Sequence, residues 1–363
     1  MVKKIFPFIF FLLAIALSTD LKSQKLAAFT NFRDNFYVFD DGQFIKLEHL
    51  PIESYKVGKW AVAYQNSNGA LFVYLHGQKH KLTEVVEDYK LTESLLIYHY
   101  GSNLFVYDGI EKEKLSMDCP YFKANGDAVA FYDRINKEFR FYYNSVVYDI
   151  ESALSNEPVR NFKVGDNILA YLDPNGYLKY FYKGKGGEIM LAEGRPNYRV
   201  DKNIIAYYDP NSSAFKVFLD GITHQVDFFR PASFKVADNR VAYVKDNGRF
   251  CVFQDGKERI ISHITPEFYH IEDNLIIYEE NGYLKCYYNY QTYTLENYIP
   301  SAMKYEFNAL AYLNKQRYLE VFSKGKQQSL TYETVNKFDV FWGVVWYNLG
   351  VNTNKVFYNG KRY

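Results

Sequence analysis

Basic side chains recur at one position along most of this sequence. A small or branched apolar residue followed by an aromatic residue appears about every 35 residues, and in eight consecutive copies a basic residue lies eight positions before the aromatic. These eight residues are Lys56, Lys90, Lys123, Lys163, Arg199, Lys235, His270 and Lys304. Positive groups that converge in a confined space attract a phosphate, a carboxylate or an acidic glycan. They are the candidate ligand-binding residues, provided that the fold brings them together.

The apolar–aromatic pairs define an internal repeat. They are Ala28-Phe29, Ala63-Tyr64, Ile97-Tyr98, Ala130-Phe131, Ala170-Tyr171, Ala206-Tyr207, Ala242-Tyr243, Ile277-Tyr278, Ala311-Tyr312 and Val345-Trp346. Successive aromatics are 33 to 36 residues apart, apart from one spacing of 40. A fixed period of this length is typical of stacked repeat architectures. In the last copy the eighth position back falls on Phe338, with Lys337 beside it.

Each repeat divides into short alternating runs separated by turn residues. Asn281-Gly282, Asp220-Gly221 and Asp255-Gly256 are pairs that supply the positive φ angles of tight hairpins. Tyr and Phe, which number 36 and 30, pack well on pleated, half-buried surfaces. The pattern predicts four short antiparallel strands per repeat and an all-β fold.

A small four-stranded sheet with two apolar faces must be covered by its neighbours. Radial stacking predicts a β-propeller of about ten four-stranded repeats, as one large ring of 8–10 blades or as two smaller propellers. A linear β-solenoid is the third alternative. The long spacing contains residues 149–160 (DIESALSNEPVR), a candidate break or inserted loop. The partial first and last units suggest that both termini contribute to one blade.

The repeat units, such as KVGDNILAYLD and LKYFYKGK, resemble those of exported propellers of the TolB-like and peptidase-associated type. Members of that class mostly bind proteins or shape access to another domain. The sequence carries no hydrolase motif beside the repeats, so the resemblance implies a binding role only.

A propeller places the first strand of each repeat innermost, so the eight basic residues are expected to form a ring at the central channel. The predicted hairpin register sets Lys163 opposite Ala170 and Lys235 opposite Ala242, which leaves room for the lysine stems. The alternative is that these cations are solvated channel linings, paired with carboxylates such as Asp173 and Asp209.

The N-terminal sequence indicates the compartment, and the charge balance limits the kinds of partner. Residues 1–24 place Lys3 and Lys4 before an apolar run that ends at Leu17, which is typical of a signal peptide, and the propeller is expected over residues 25–363. The mature protein is therefore expected in the periplasm or secreted, with no transmembrane segment. Lys and Arg number 43 against 42 Asp and Glu, so nothing favours nucleic acid.

No catalytic, phosphate-binding or metal motif stands out, and His76 and His80 flank a Gly77 turn without a third ligand. Cys251 and Cys286 occupy matching places in adjacent repeats, which usually lie too far apart for a disulfide. The sequence favours a non-catalytic exported binding or scaffold protein without a cofactor, which recognises an envelope or extracellular protein or an anionic or glycan ligand. The competing hypothesis is a carbohydrate-binding or carbohydrate-active propeller, since glycosidase carboxylates come from separate blades and leave no local motif.

Overall fold

A computed structural model describes residues 25–152, 159, 161–192 and 194–363. The predicted signal peptide, residues 1–24, lies outside the described residues, as do residues 153–158 and 160 of the candidate inserted loop. The described residues form 39 strands in ten antiparallel sheets and contain no helix. The all-β prediction is confirmed.

The strands follow one another as ten blades, numbered in chain order. Blade 1 contains β1 (Leu26–Thr30), β2 (Phe36–Asp40) and β3 (Gln43–Glu48); blade 2 contains β4 (Ile52–Val57), β5 (Val62–Asn66), β6 (Leu71–Leu75) and β7 (Gln78–Thr83); blade 3 contains β8 (Tyr89–Leu91), β9 (Leu96–Tyr100), β10 (Asn103–Tyr107) and β11 (Lys112–Ser116); blade 4 contains β12 (Phe122–Asn125), β13 (Ala128–Asp133), β14 (Glu138–Tyr143) and β15 (Val146–Ser152); blade 5 contains β16 (Phe162–Val164), β17 (Ile168–Leu172), β18 (Tyr177–Tyr182) and β19 (Lys185–Leu191).

The second half has the same plan. Blade 6 contains β20 (Tyr198–Asp201), β21 (Ile204–Asp209), β22 (Ala214–Leu219) and β23 (Ile222–Asp227); blade 7 contains β24 (Ser233–Ala237), β25 (Arg240–Val244), β26 (Phe250–Gln254) and β27 (Lys257–Ser262); blade 8 contains β28 (Tyr269–Glu272), β29 (Leu275–Glu280), β30 (Tyr283–Tyr288) and β31 (Gln291–Glu296); blade 9 contains β32 (Met303–Glu306), β33 (Ala309–Leu313), β34 (Leu319–Ser323) and β35 (Lys326–Ser329); blade 10 contains β36 (Val335–Phe341), β37 (Val344–Leu349), β38 (Thr353–Tyr358) and β39 (Lys361–Arg362).

The hydrophobic core is divided among the interfaces between blades. Ten clusters of buried side chains occur, and each joins two neighbouring sheets. The cluster that contains Phe29 and Phe39 of blade 1 also contains Val344 and Trp346 of blade 10, so the last blade packs on the first. The ten blades therefore form a single closed ring, which rules out two smaller propellers and a linear solenoid.

Within residues 25–363 as far as they are described, no sheet is shared by the two termini, contrary to the expectation from the partial end units. Blade 10 is completed by the short C-terminal strand β39, because the Asn359-Gly360 turn folds it back onto β38. Side chains join blades 10 and 1: the rings of Phe29 and Trp346 stack at 5.3 Å, and those of Phe39 and Tyr363 lie 5.2 Å apart.

The candidate inserted loop begins inside a strand. Asp149 pairs with Arg140, and β15 continues to Ser152 as the fourth strand of blade 4. Phe139 of blade 4 packs on Phe162 of blade 5 at 4.9 Å, so the two blades on either side of the long spacing are in contact.

The tight turns follow the predicted chemistry. Both residues of Asp220-Gly221, Asp255-Gly256 and Asn281-Gly282 have positive φ, between 49° and 88°. This conformation matches the right-handed twist of the flanking strands, and a β-branched residue there would be strained. Turns of two residues keep the repeat short.

The aromatic of each apolar–aromatic pair is buried against its neighbouring blade, with one correction in the last repeat. There β36 and β37 pair Asp339 with Trp346, as β32 and β33 pair Lys304 with Ala311. Trp346 therefore occupies the small-residue position, and Tyr347, which is 1% exposed, is the buried aromatic. The sequence pattern was one residue out of register here because two aromatic residues are adjacent.

The two ends of the ring are built differently. One end carries the connections between blades together with the hairpins between second and third strands, and we call it the connection end. Hydrogen bonds join these two sets, for example from Val86 N to Gly69 O and from Cys119 N to Ser102 O. The other end, here the hairpin end, carries the turns that follow the first and third strands.

Candidate binding site in the central channel

The structure places all eight predicted basic residues on first strands, which contact one another around the ring as innermost strands do. The predicted register is confirmed: Lys163 pairs with Ala170 and Lys235 with Ala242. The remaining members occupy the same register position, which we call the ring position.

Four of the eight cations cross to the next blade. Each donates a hydrogen bond from Nζ to a main-chain carbonyl of that blade's first strand, and the pairs are Lys90 with Ala124, Lys123 with Phe162, Lys163 with Tyr198 and Lys235 with Tyr269. The donor–acceptor distances are 2.5, 2.7 and 2.6 Å for the first, second and fourth pairs. These lysines therefore connect neighbouring blades at the channel wall.

The same ammonium groups lie over aromatic rings of the next blade. Lys123 lies 4.6 Å from the ring centre of Phe162 and Lys163 lies 4.5 Å from that of Tyr198. Lys235 has the equivalent position over Tyr269 at 4.8 Å. The attraction between a cation and a ring face helps to hold each lysine across the interface.

The spacing of the cations does not predict their aromatic partners, but the sequence carries a separate signal for them. An aromatic residue comes directly before the cation in seven consecutive repeats: Tyr55-Lys56, Tyr89-Lys90, Phe122-Lys123, Phe162-Lys163, Tyr198-Arg199, Phe234-Lys235 and Tyr269-His270. The repeated dipeptide predicts a cation–ring contact between successive blades.

The remaining ring residues differ in their contacts. Arg199 lies 5.6 Å from the Phe234 ring, and His270 Nδ1 lies 2.8 Å from the Tyr305 hydroxyl. Lys304 Nζ is 3.8 Å from the Asp339 carboxylate, which occupies the ring position of blade 10 in place of the Phe338 expected from the sequence. Lys56 is exposed, and no ion pair joins it to any residue within the described parts of the chain.

The proposed pairing of the ring with Asp173 and Asp209 is wrong. Asp173 binds Lys179 at 2.8 Å and Asp209 binds Lys216 at 2.8 Å, and both lysines lie on third strands. The carboxylates sit at the ends of second strands, where the adjacent third strand is nearer than the first.

Burial and crowding lower the pKa of several ring cations. Burial and then the nearby charges of Arg199 and Lys123 lower the pKa of Lys163 to about 8. Burial lowers the pKa of Lys90, with a contribution from Lys123, and burial also lowers the pKa of Lys235. Bringing an anion to this wall would favour the charged form of each lysine.

A layer of carboxyl groups lies next to the cation ring, toward the hairpin end. It consists of Glu93, Asp127, Asp166, Asp201, Asp238, Glu272, Asp273 and Glu306, from blades 3 to 9, and we call it the acidic layer. Glu272 and Glu306 each follow a ring residue by two positions on the same strand, which corresponds to about 7 Å. The channel therefore changes sign over a short distance.

One lysine joins much of the acidic layer. Lys202, in the first hairpin of blade 6, lies 2.8 Å from Asp238, 3.6 Å from Asp273 and 3.8 Å from Glu93, which belongs to blade 3. Asn125 of blade 4 donates to Asp201 of blade 6 at 2.8 Å. A cavity of about 280 Å³ is lined from blades 3, 4, 6, 7, 8 and 10, so these contacts span the ring axis.

Burial raises the pKa of several of these carboxyls, and neighbouring carboxylates add to the effect. The pKa of Asp166 and of Glu272 is raised to about 7, that of Asp273 to about 6 and that of Glu306 to about 8.

Among the residues that the structure describes, no three His, Cys, Asp or Glu side chains are grouped to hold a metal ion. Cys119, Cys251 and Cys286 are all free and buried.

The cation ring opens into a cavity on one side of the channel. About 680 Å³ of space is lined by Lys56, Lys90 and Lys123 together with Tyr89 and Asp88. A second cavity, of about 490 Å³, is mainly apolar. The two share Pro120, Tyr121, Phe122 and Lys123 as a common wall. Three of the eight predicted cations therefore share one site, whereas the other five lie outside it.

Exposed apolar side chains are concentrated at the connection end. In the described parts of the connections between blades eight large ones occur, namely Leu50, Val85, Met117, Phe228, Phe229, Ile264, Ile299 and Tyr332, and we call them the apolar rim. Three more, Phe32, Ile135 and Val351, lie in hairpins at the same end. The Phe32 hairpin belongs there because β1, which carries Ala28-Phe29, corresponds to the second strands of the other blades. The hairpin end has four in or beside its turns, which are Ile110, Val146, Ile222 and Tyr290.

The fold and the channel define an all-β propeller of ten blades. A family model described as the 10-bladed beta propeller domain matches residues 20–363, and the chain belongs to this family. No curated protein matches the sequence. Among the described residues, no helix is long and apolar enough to cross a membrane.

Solved structures align to this chain with low TM-scores. The computationally designed protein Ika8 is 15% identical, with 85% of this chain and 96% of that chain covered and a TM-score of 0.37. PorZ, a surface component of the type-IX secretion system of Porphyromonas gingivalis, is 8% identical, with 91% and 56% covered and a TM-score of 0.31. Hsv2 of Kluyveromyces lactis is 11% identical, with 85% and 95% covered and a TM-score of 0.33.

Proposed function

We propose that the protein is a non-catalytic binding or scaffold module that works outside the cytoplasm, in the periplasm or at the cell surface. It engages a partner protein of the envelope or of the extracellular space through its connection end. The observation that supports this proposal most is the unequal distribution of exposed apolar side chains between the two ends of the ring.

The apolar rim differs from ordinary surface exposure because equivalent connections of several blades carry it. Phe228 is 74% exposed, Tyr332 77% and Leu50 64%. Single exposed apolar residues need no explanation, but a concentration of them on one face of a soluble protein is typical of an interaction surface. A ring whose nine connections between blades lie at one end presents such a surface on a rigid support.

The charge at the centre of this face complements the rim. Lys56, Lys90 and Lys123 line one cavity together with Asp88 and Pro120, which lie in connections between blades, so this cavity faces the connection end. Cations near the centre of an apolar surface select the orientation of a partner and speed its association when the partner is acidic.

Export is supported by the signal-peptide pattern of residues 1–24. In a fractionated culture we expect the chain in the extracytoplasmic fraction, shortened at its N-terminus.

The docking proposal is tested with two matched sets of variants. Phe228→Ser, Phe229→Ser and Tyr332→Ser together remove apolar area from the connection end, and Ile110→Ser with Ile222→Ser does the same at the hairpin end. We expect the first set to abolish capture of a protein partner from an envelope extract, and the second set to leave the same partner bound. Equal retention by both sets would exclude the connection end as the docking surface.

A further inference from the structure

Three of the ring cations line the same cavity of about 680 Å³ and have N–H donors available to a ligand there. Lys90 and Lys123 each donate one hydrogen bond to a main-chain carbonyl, which fixes the position of the ammonium group. Because an ammonium group has three N–H donors, two donors remain on each lysine. Lys56 is exposed in the same cavity, and within the described residues no ion pair engages it.

The acidic group already in the cavity is occupied. Asp88 Oδ1 lies 2.5 Å from His99 Nδ1, and this one carboxylate faces three ammonium groups. The cavity therefore keeps a net positive charge and can accept at least one further anion.

The adjoining cavity limits what kind of anion fits. Tyr121, Phe122 and Phe162 make its wall largely apolar, and Arg134 lies at its edge. A free inorganic anion would use none of this surface. A chain that carries a carboxylate with an apolar or aromatic side chain beside it would fill both cavities at once.

We propose that the cavity lined by Lys56, Lys90 and Lys123 binds an acidic peptide segment of the partner, with an acidic side chain among the lysines and a neighbouring apolar side chain in the adjoining cavity. This inference rests on the proposed function as a protein-binding module and names the chemistry that the partner presents. Preordered lysines reduce the entropy lost on binding, which favours recognition at this sector of the ring.

A synthetic peptide tests the inference directly. A fluorescein-labelled peptide of sequence Gly-Ser-Glu-Phe-Glu-Leu-Gly-Ser is titrated with the full mature chain, and fluorescence anisotropy is measured. The control peptide has Gln in place of both Glu residues. We expect binding of the first peptide, weakening with added salt, and no measurable binding of the second.

Two variants at the same ring position distinguish this cavity from general positive charge. Lys56→Gln removes a cation from the cavity, and Lys304→Gln removes one from blade 9, outside it. We expect Lys56→Gln to weaken the acidic peptide about fivefold, the upper range for an exposed ion pair, and Lys304→Gln to weaken it less than about twofold. Because Lys56 has no described ion pair, its replacement should leave the melting temperature unchanged.

Equal effects of the two variants, or equal binding of the two peptides, would overturn the inference. Polygalacturonate that binds in a Lys56-dependent manner, while the peptide does not bind, would overturn it in favour of an acidic glycan. If the apolar-rim variants abolish partner capture but Lys56→Gln changes neither capture nor peptide binding, this inference fails and the proposed function stands. If the apolar-rim variants leave capture intact, the proposed function itself fails.

Discussion

The cation ring and the acidic layer lie on the same inner strands, yet they accommodate like charges in different ways. At the ring position, Lys90, Lys123, Lys163 and Lys235 each have their own carbonyl acceptor on the next blade. In the acidic layer, carboxyls from blades on both sides of the axis converge on Lys202.

The difference shows that the position of a charged residue along a strand determines which partners it contacts. Long lysine stems reach sideways to the neighbouring blade, so each charge is held separately. Short carboxyl side chains in the hairpins stay near the axis and crowd one another, and their pKa values rise because burial and repulsion disfavour ionisation. In the cation ring the same contact between two neighbouring blades is repeated, whereas in the acidic layer several carboxyls share one lysine.

Replacing the lysine of the network has the largest expected effect. Lys202→Met leaves Glu93, Asp238 and Asp273 without their common cation, and we expect the free energy of unfolding at pH 8 to fall by about 3 kcal/mol. At pH 5 the loss should be smaller, because the pKa of Asp273 is raised to about 6 and its protonated carboxyl no longer needs the cation. Urea denaturation at both pH values measures the change.

The matched control is Lys179→Met. Lys179 also joins two carboxylates, Asp173 at 2.8 Å and Glu151 at 3.1 Å, but away from the axis. We expect a loss of about 1 kcal/mol that is the same at pH 5 and pH 8. A pH-independent loss in Lys202→Met as well would show that its carboxylates do not form a coupled network.

The acidic layer should also make the folded state less stable as pH rises. The pKa of Asp166, Glu272, Asp273 and Glu306 lies at about 6 to 8 in the folded protein, above the ordinary values of 3.8 and 4.5. The folded protein therefore holds more protons than the unfolded chain between about pH 4 and pH 8, and the free energy of unfolding decreases through this window. Denaturation midpoints between pH 5 and pH 8 measure the slope.

Glu306→Gln should reduce that slope. The change removes one buried carboxyl that must ionise at high pH, so the variant should gain about 1 to 2 kcal/mol over the parent at pH 8 and little at pH 5. Glu53→Gln, at an exposed position of β4, is the control and should leave the slope unaltered. A parent protein that is equally stable at pH 5 and pH 8 would contradict the expectation.

The cation ring should change the free energy of unfolding with pH in the opposite direction and by a smaller amount. The pKa of Lys163 is lowered from 10.5 to about 8, so the folded protein holds fewer protons than the unfolded chain between pH 8 and about 10.5, and this group makes unfolding harder as pH rises there. Competitive acetylation followed by mass spectrometry should give a midpoint near pH 8 for Lys163. Lys179, whose pKa is raised by its hydrogen bond to Asp173, should titrate above 10.5.

Most of the fold could be predicted from local chemistry. Turn pairs such as Asp220-Gly221 and buried aromatics such as Tyr243 mark positions where few residues are tolerated, so their spacing gave the strand order and the ten repeats. The last repeat shows the limit: Trp346 and Tyr347 are adjacent aromatics, and only the β36–β37 register shows that Tyr347 is the one buried against the preceding blade.

The candidate site was harder to predict because its parts come from different repeats. The spacing predicted which residues share the ring position, but the partners of those residues, such as Phe162 for Lys123, lie on the following blade. The contact between Glu93 and Lys202 joins residues that are 109 positions apart and depends on the closure of the ring. A periodic pattern does not contain such a contact.

The seam between blades 10 and 1 bears on how the number of repeats can change during evolution. Each described blade is one contiguous stretch, and the seam is made of side chains such as Phe29 and Trp346 without a strand borrowed from the other terminus. Duplication or deletion of one unit would therefore leave every remaining sheet intact.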